Sequence, residues 1–536
     1  MARDIHIQRQ EITPCAAGPD ADAAPPKEPM PAAGSWVLLA TILASSMAFI
    51  DGTALNVALP VIQRELDATG AQLLWTVNGY LLMLGALILV CGVLGDRFGR
   101  KRVFSLGIGL FTLASIACGS TPGINFLIGA RVVQGIGGAM MIPGSLAIIT
   151  AFFGPESRGR AIGTWAAVTT MVTVIGPMLG GALAGAGLWR GVFFINTPLA
   201  VAALVILRFR VPESRDTDAA TGIDFAGAFL AVAGLASLTY GFIAAPDYGF
   251  GNPRIDGALL LGVAALGAFA GVEAAGSHPM MPLRLFRSRT FSGANLLTLL
   301  LYGAISVSTF FLSLNFVQVQ GYTPFEAGLA FMPFALILAG MSRWAGGLVD
   351  RYGARLPLIA GPAIAGAGFL LLGVVGLTSG PEAYWHTYLP GVVLFGIGMG
   401  VTVAPLSTAV MGSLSQRHAG TASGVNNAVS RIAGVLAIAV LGSFMLFYFA
   451  SALSSRTSAL PISAEARAAI NDQAGRLAEA GVPPQVGAGN ADAVRRAIRR
   501  AFVDSLRRLM FICAGMAWAS SAIAALMVRR RLEAMD

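Results

Sequence analysis

The sequence predicts an all-α polytopic membrane protein of fourteen transmembrane helices, arranged as two six-helix bundles with two helices inserted between them. Three observations predict it. The chain has 536 residues, 55% hydrophobic and 12% charged, with mean hydropathy +0.71, whereas a soluble domain carries about 25% charged residues. Its apolar stretches reach the roughly 20 residues that cross about 30 Å of hydrocarbon. The segment Gly92-Val-Leu-Gly-Asp96-Arg97-Phe-Gly99 returns 254 positions later as Gly346-Gly-Leu-Val-Asp350-Arg351-Tyr-Gly353, each copy closing a long apolar stretch. A motif repeated at that distance points to a duplicated bundle.

Residues 1–34 mix Asp, Glu, Pro and Ala without an apolar run and read as a disordered cytoplasmic tail rather than a secretory signal. The N-terminal bundle, 35–211, holds spans Trp36 to Leu59, Leu73 to Leu94, Val103 to Gly119, Asn125 to Thr150, Ala161 to Leu183 and Val192 to Leu207. Region 212–280 carries the inserted pair, Phe225 to Ala244 and Ala258 to Val272. Five spans follow in 281–449: Phe291 to Phe316, Ala327 to Trp344, Leu356 to Leu377, Tyr388 to Val410 and Ala422 to Phe449. The last, Leu509 to Val528, comes after an extracytoplasmic loop, 450–508, and precedes a short cytoplasmic tail, 529–536.

Lys and Arg set the orientation. Arg97, Arg100, Lys101 and Arg102 follow span 2, Arg158 and Arg160 span 4, Arg208, Arg210 and Arg215 span 6, and basic residues continue after every even-numbered span. Both termini are therefore expected in the cytoplasm of a cell that keeps the protein in its inner membrane. The net charge of +9 lies in these short clusters, which is topology and not a nucleic-acid footprint. Loop 450–508 carries six arginines from Arg495 to Arg508 on the expected outer side, but long loops obey the charge rule poorly. Within it Val494, Ile498, Phe502, Leu506 and Leu509 fall at helical spacing. That stripe reads as an interfacial helix, or as a cover over the outer mouth or a contact for a periplasmic adaptor. The four cysteines and four histidines stand apart from one another, so neither a disulfide framework nor a metal site is expected. The chain has no Walker-type phosphate loop, which argues against an ATP-driven pump, and no clustered catalytic residues, which argues against an enzyme.

Asp51 is the one acid deep inside a span. A carboxylate there costs at least a few kcal/mol and must face the bundle interior or water. It reads as a proton or cationic-substrate site, or as a structural hydrogen-bonded carboxylate. Arg131 lies about 9 Å into span 4, in the same leaflet, so a direct or water-mediated link to Asp51 is expected.

Together these residues resemble the major facilitator superfamily, and the count of fourteen resembles its drug:proton antiporter branch of QacA and EmrB type. The resemblance rests on Gly92 to Lys101, Asp51-Gly-Thr-Ala-Leu-Asn56-Val-Ala-Leu-Pro60, Arg131-Val-Val-Gln134-Gly135-Ile-Gly137, Gly176-Pro177-Met-Leu-Gly180-Gly181 and Trp189 to Pro198. It implies a major facilitator fold and a monomeric, proton-coupled exporter of lipophilic, cationic small molecules, working in the bilayer by alternating access without a cofactor, the proton being the coupling ion. An exporter of a single natural product, lipid or siderophore is the alternative; a transport-inactive sensor or scaffold is another. The resemblance places coupling on Asp51, Asn56, Arg131 and Gln134. It places a cytoplasmic gate on Gly92, Asp96, Arg97, Gly99, Arg100, Asp350 and Arg351, with Asp96 expected to meet the N-terminus of span 13 near Gly420. Gly176, Pro177, Gly180 and Gly181 form an antiporter signature, read as a hinge or a packing seam. Phe49, Trp75, Tyr80, Tyr302, Phe310, Phe311, Asn315 and Gln318 are candidates for the substrate pocket.

Overall fold

The computed structural model describes residues 32–215, 222, 224–276, 279–414 and 419–529, with the side chains at 32, 33, 155, 342, 343, 350, 419 and 488 outside the description. Most of the expected N-terminal tail and nearly all of the C-terminal tail therefore lie outside the described residues. Fourteen of the described helices are long and apolar enough to cross a membrane. The first bundle comprises α1 (Ala32–Glu65), α2 (Gly70–Phe98), α3 (Arg100–Gly119), α4 (Ile124–Phe152), α5 (Pro155–Gly185) and a sixth span in two pieces, α6 (Gly191–Phe194) and α7 (Asn196–Arg210). The inserted pair is α8 (Phe225–Tyr248) and α9 (Pro253–Ala275). The second bundle is α10 (Arg289–Leu314), α11 (Pro324–Ala330), α12 (Met332–Tyr352), α13 (Arg355–Val374), α14 (Tyr384–Thr387), α15 (Leu389–Gly412), α16 (Ala419–Ser458), α17 (Ala464–Asn471) and α18 (Ala488–Met527).

Local chemistry accounts for where these helices start and break. The side chains of Thr69 and Thr323 each accept from a backbone amide three residues on, at the starts of α2 and α11, and the side chain of Asp224 does the same for α8. Each break within a span precedes a proline, Pro198 after Ile195 and Pro333 after Phe331, and Pro390 likewise stands in the first turn of α15. A proline ring collides with the carbonyl four residues back and supplies no amide. A π turn, Asn315–Val319, continues α10.

Helices occupy every expected span and run past most of the limits, from Ala32–Glu65 about the first to Met332–Tyr352 past the end of the tenth, and furthest at the end of the chain. α16 and α18 have 40 residues each, about 60 Å and twice the hydrocarbon thickness. The stripe read as an interfacial helix is instead the first half of α18, continuous with the last span, because Val494, Ile498, Phe502, Leu506 and Leu509 are all buried in the main apolar core. Arg456 and Asp504 tie the projecting ends of α16 and α18 by an ion pair.

Hereafter the basic end is the one bearing Gly92 to Arg100, and the far end is the opposite one. The halves meet along α2 and α16, where Leu74 touches Gly442, Leu81 Gly434 and Gly85 Arg431. The inserted pair leans on the outside of this seam: Leu82 and Ala86 of α2, Ala231 and Leu235 of α8 and Val435 of α16 form one buried cluster. Large apolar side chains such as Leu113, Phe229 and Leu260 are exposed on the perimeter, as a lipid-facing surface requires.

Candidate functional site

α1 and α4 cross inside the first bundle, and their crossing buries charge. Asp51 is 0% and Arg131 1% exposed, with Arg131 Nη1 2.5 Å from Asp51 Oδ2. Gln134, one helical turn from Arg131, donates to Asp51 Oδ1 at 2.9 Å and accepts from Arg131 Nη1 at 2.7 Å. Arg131 Nε donates to the Thr76 carbonyl at 3.2 Å, and its guanidinium lies 4.4 Å from the Tyr80 ring centre. Ser115 on α3 accepts from Asn196 at 2.9 Å and donates to the Phe193 carbonyl at 2.9 Å, and it stands 3.4 Å from Gln134 Nε2. Five spans of one half thus converge on a single carboxylate.

The arrangement has a chemical consequence. Both carboxylate oxygens are engaged, so in this state Asp51 holds no free face for a cationic ligand. Protonation would remove the ion pair, yet Arg131 would keep Gln134 Oε1 and the Thr76 carbonyl as acceptors. The pair can therefore open with its arginine still hydrogen-bonded, whereas removal of Arg131 leaves a buried carboxylate with one amide donor. Asn56 stands outside this network, its amide reaching only the Gly52 carbonyl of its own helix at 3.4 Å.

At the basic end Asp96 departs from expectation. Its Oδ1 accepts from Arg100 Nε at 2.7 Å, a partner four residues along in the same half, and no described bond joins it to α16, where Gly420 has open space beside it. A different carboxylate, Glu213, caps the start of α3, its oxygens accepting from the amides of Lys101 and Arg102 at 2.9 and 3.2 Å. Gly99 makes that approach feasible: its φ is +113°, and a Cβ there would lie 2.8 Å from the Glu213 carboxyl carbon. Gly353 repeats the left-handed turn in the second copy with φ +72°. Gly92 lies beside Pro143, the Arg97 guanidinium sits 5.4 Å from the Phe98 ring centre, and Arg351 is exposed. The side chain of Asp350 lies outside the described residues.

The glycine signature on α5 forms a close-packed seam in an unbroken helix. A Cβ at Gly176 would overlap the Thr53 hydroxyl, and one at Gly180 the Ala54 carbonyl, both on α1. Gly181 and Gly328 carry the seam across to α11, where their added Cβ atoms would overlap the carbonyls of Pro324 and Pro177. Gln318 Nε2 donates to Gln63 Oε1 at 2.8 Å across the same end. Above it the chain between α17 and α18 closes over: Gln63 donates to the Arg476 carbonyl at 3.0 Å, Arg476 pairs with Asp67 at 2.8 Å, and Glu479 pairs with Arg64 at 3.0 Å. Beside this seal the Tyr322 phenol is pushed up to about 12 by burial, with Glu326 adding to the effect.

The pocket candidates divide between these regions. Tyr80 stacks on Arg131, and Tyr302 is partly buried at the α10 face of the seam. Phe310 and Phe311 are sealed edge to face in the core, Asn315 donates to the Tyr388 hydroxyl at 2.8 Å, and Gln318 belongs to the far-end seal. These four do not line an open wall in this state: Phe310, Phe311 and Asn315 are buried, and Gln318 is engaged with Gln63. Phe49 and Trp75 are partly buried. Sequence reasoning quoted Asn196 within the motif Trp189 to Pro198 without giving it a role, and it missed Ser115, Glu213 and Arg431; of these three only Arg431, a charge inside an apolar span, carried a readable signal.

The sequence profile of the Major Facilitator Superfamily matches residues 41–438. The multidrug resistance protein Stp of Mycobacterium tuberculosis is 35% identical over 424 residues, covering 78% of this chain and 76% of its own. The tetracenomycin C resistance and export protein of Streptomyces glaucescens is 30% identical and covers 91% of this chain and 90% of its own. The crystal structure of a bacterial homolog of the human lysosomal transporter Spinster, inward-facing and unoccupied, superposes with a TM-score of 0.64 at 19% identity, over 94% of this chain and 99% of that one, so the fold is shared. The chain belongs to the Major Facilitator Superfamily: it is a multi-pass membrane transporter and not an enzyme.

Proposed function

We propose that the protein is a proton-coupled exporter of lipophilic compounds in which Asp51 carries the coupling proton. The observation behind this reading is the Asp51–Arg131–Gln134 network, a fully buried carboxylate whose arginine has fallback acceptors. The names of the relatives, multidrug resistance in one and antibiotic export in the other, support export as the direction. With the basic end in the cytoplasm, protonation of Asp51 from outside loosens α1 from α4 and favours release; deprotonation toward the cytoplasm restores the pair and permits loading. A potential of 100 mV supplies about 2.3 kcal/mol per charge, enough for roughly fiftyfold accumulation. The expected cationic preference, which the resemblance implies and which aromatic pocket candidates beside the Asp51 carboxylate would serve, loses the latter support because both Asp51 oxygens are engaged. The 91% coverage by a relative named for one compound favours a second reading, a narrow exporter of one natural product.

The test is proton movement in proteoliposomes under an imposed pH gradient. Drug-dependent proton flux should vanish in Asp51→Asn, while wild-type flux in that variant would refute the assignment. A resistance panel in a pump-deficient host, including tetracenomycin C, separates broad from narrow export.

A further inference from the structure

Arg431 is a cation inside an apolar span of the second half, and none of the roles above uses it. It lies twelve residues after Ala419 on α16, about 18 Å along the helix from the basic end and so near mid-membrane. Its Cβ would meet one added at Gly85 of α2 at 3.2 Å. Ile432, Val435 and Leu436 of α16 pack toward the inserted pair, whereas Arg431 lies one turn before Gly434, which Leu81 of α2 and Ser306 of α10 flank, with Tyr302 one turn before Ser306. Its Nε is buried without a hydrogen-bond partner, and among the described residues no carboxylate pairs with it. Arg131 makes the contrast, since Asp51, Gln134 and the Thr76 carbonyl take its donors.

A guanidinium has five donors and stays charged, and inside a membrane such a charge faces a partner or a pathway. The Asp51–Arg131 pair is neutral as a unit, so Arg431 sets the charge of the seam. Tyr302, partly buried on the α10 face of the seam, offers an aromatic edge to an apolar body and a hydroxyl to an oxygen atom. The seam also joins the two halves, so a ligand held there touches both parts that alternating access moves.

We propose that Arg431 is the anion-recognising group of the cargo site, binding the carboxylate, phenolate or sulfonate of a lipophilic organic acid where α2, α10 and α16 meet. This rests on the reading of the chain as an exporter and adds the substrate class.

The test titrates the purified full chain in lipid nanodiscs with fluorescein, a carboxylate dye, and with rhodamine 123, a cationic dye on the same xanthene frame, following polarisation. Wild type should bind fluorescein saturably, Arg431→Gln about tenfold or more weakly, and Arg431→Lys in between, with rhodamine 123 binding unchanged or strengthened by Arg431→Gln. Failure of the wild type to bind fluorescein, equal binding by Arg431→Gln, or parallel loss of both dyes would overturn the proposal. Arg431→Lys keeps the charge and the fold, so it decides the matter if the Gln variant unfolds. Binding needs no gradient, so an unaltered proton flux in Asp51→Asn would defeat the coupling reading while leaving this result standing.

Discussion

Asp51, Arg131 and Gln134 make one unit from two helices, and their variants should behave unequally. Arg131→Ala strands a carboxylate with one amide donor and should cost about 3–5 kcal/mol, visible as a lower unfolding temperature in detergent; wild-type stability would mean the pair is not buried. Gln134→Ala leaves the ion pair in place, and its expected cost is smaller, about 1–3 kcal/mol for the hydrogen bonds lost. The meeting of Asp51 with Arg131 was legible because a charge inside a span must point inward and both residues fall at similar depth. Ser115 and Asn196 were not, since a lone polar residue in a span is common and only the approach of α3 to α7 gives these two a shared task. Arg431 was readable by the same rule as Asp51, a formal charge amid apolar neighbours, but attention to deep acids passed over a deep base.

Among the elements, α5 shows how glycine writes a seam. Gly181 faces the Pro324 carbonyl while Gly163, eighteen residues earlier on the same helix, has open space beside it. Gly181→Val should therefore block closure of the far end at a cost of about 1–3 kcal/mol and abolish transport. Gly163→Ala should leave transport intact and stabilise by up to about 1 kcal/mol. Cysteine accessibility at the far end checks the pair: equal labelling in both variants would refute the seam. Gly176 and Gly180 were legible as close-packing residues, but their partners were not, because which backbone lies opposite is decided by the crossing of α1 and α5. Glu213 was hidden for a related reason. A carboxylate in an arginine-rich connection looks like charge balance until Gly99 turns the chain and presents the first amides of α3 to it.

For the molecule as a whole, duplication was written in the paired motifs, and the structure repeats it in the backbone, with Gly99 and Gly353 both in the left-handed region. The far-end cover was only partly foreseeable: the periodic stripe on α18 announced a helix, but its burial required the 40-residue extensions of α16 and α18. Through Arg476 with Asp67 and Arg64 with Glu479, the cover is tied to the first half, although its chain belongs to the second. Gln63→Cys with Gln318→Cys should be bridged by a short bifunctional methanethiosulfonate, halting transport until reduction; full activity of the bridged form would show that the far end need not open.

The central claim is that Asp51 binds the transported proton and gives it up when cargo loads. It is tested most directly by measuring proton release from the purified transporter in weakly buffered detergent solution as a transported compound is added. The account predicts about one proton per molecule from wild type and none from Asp51→Asn at saturating compound; equal release from both would contradict it.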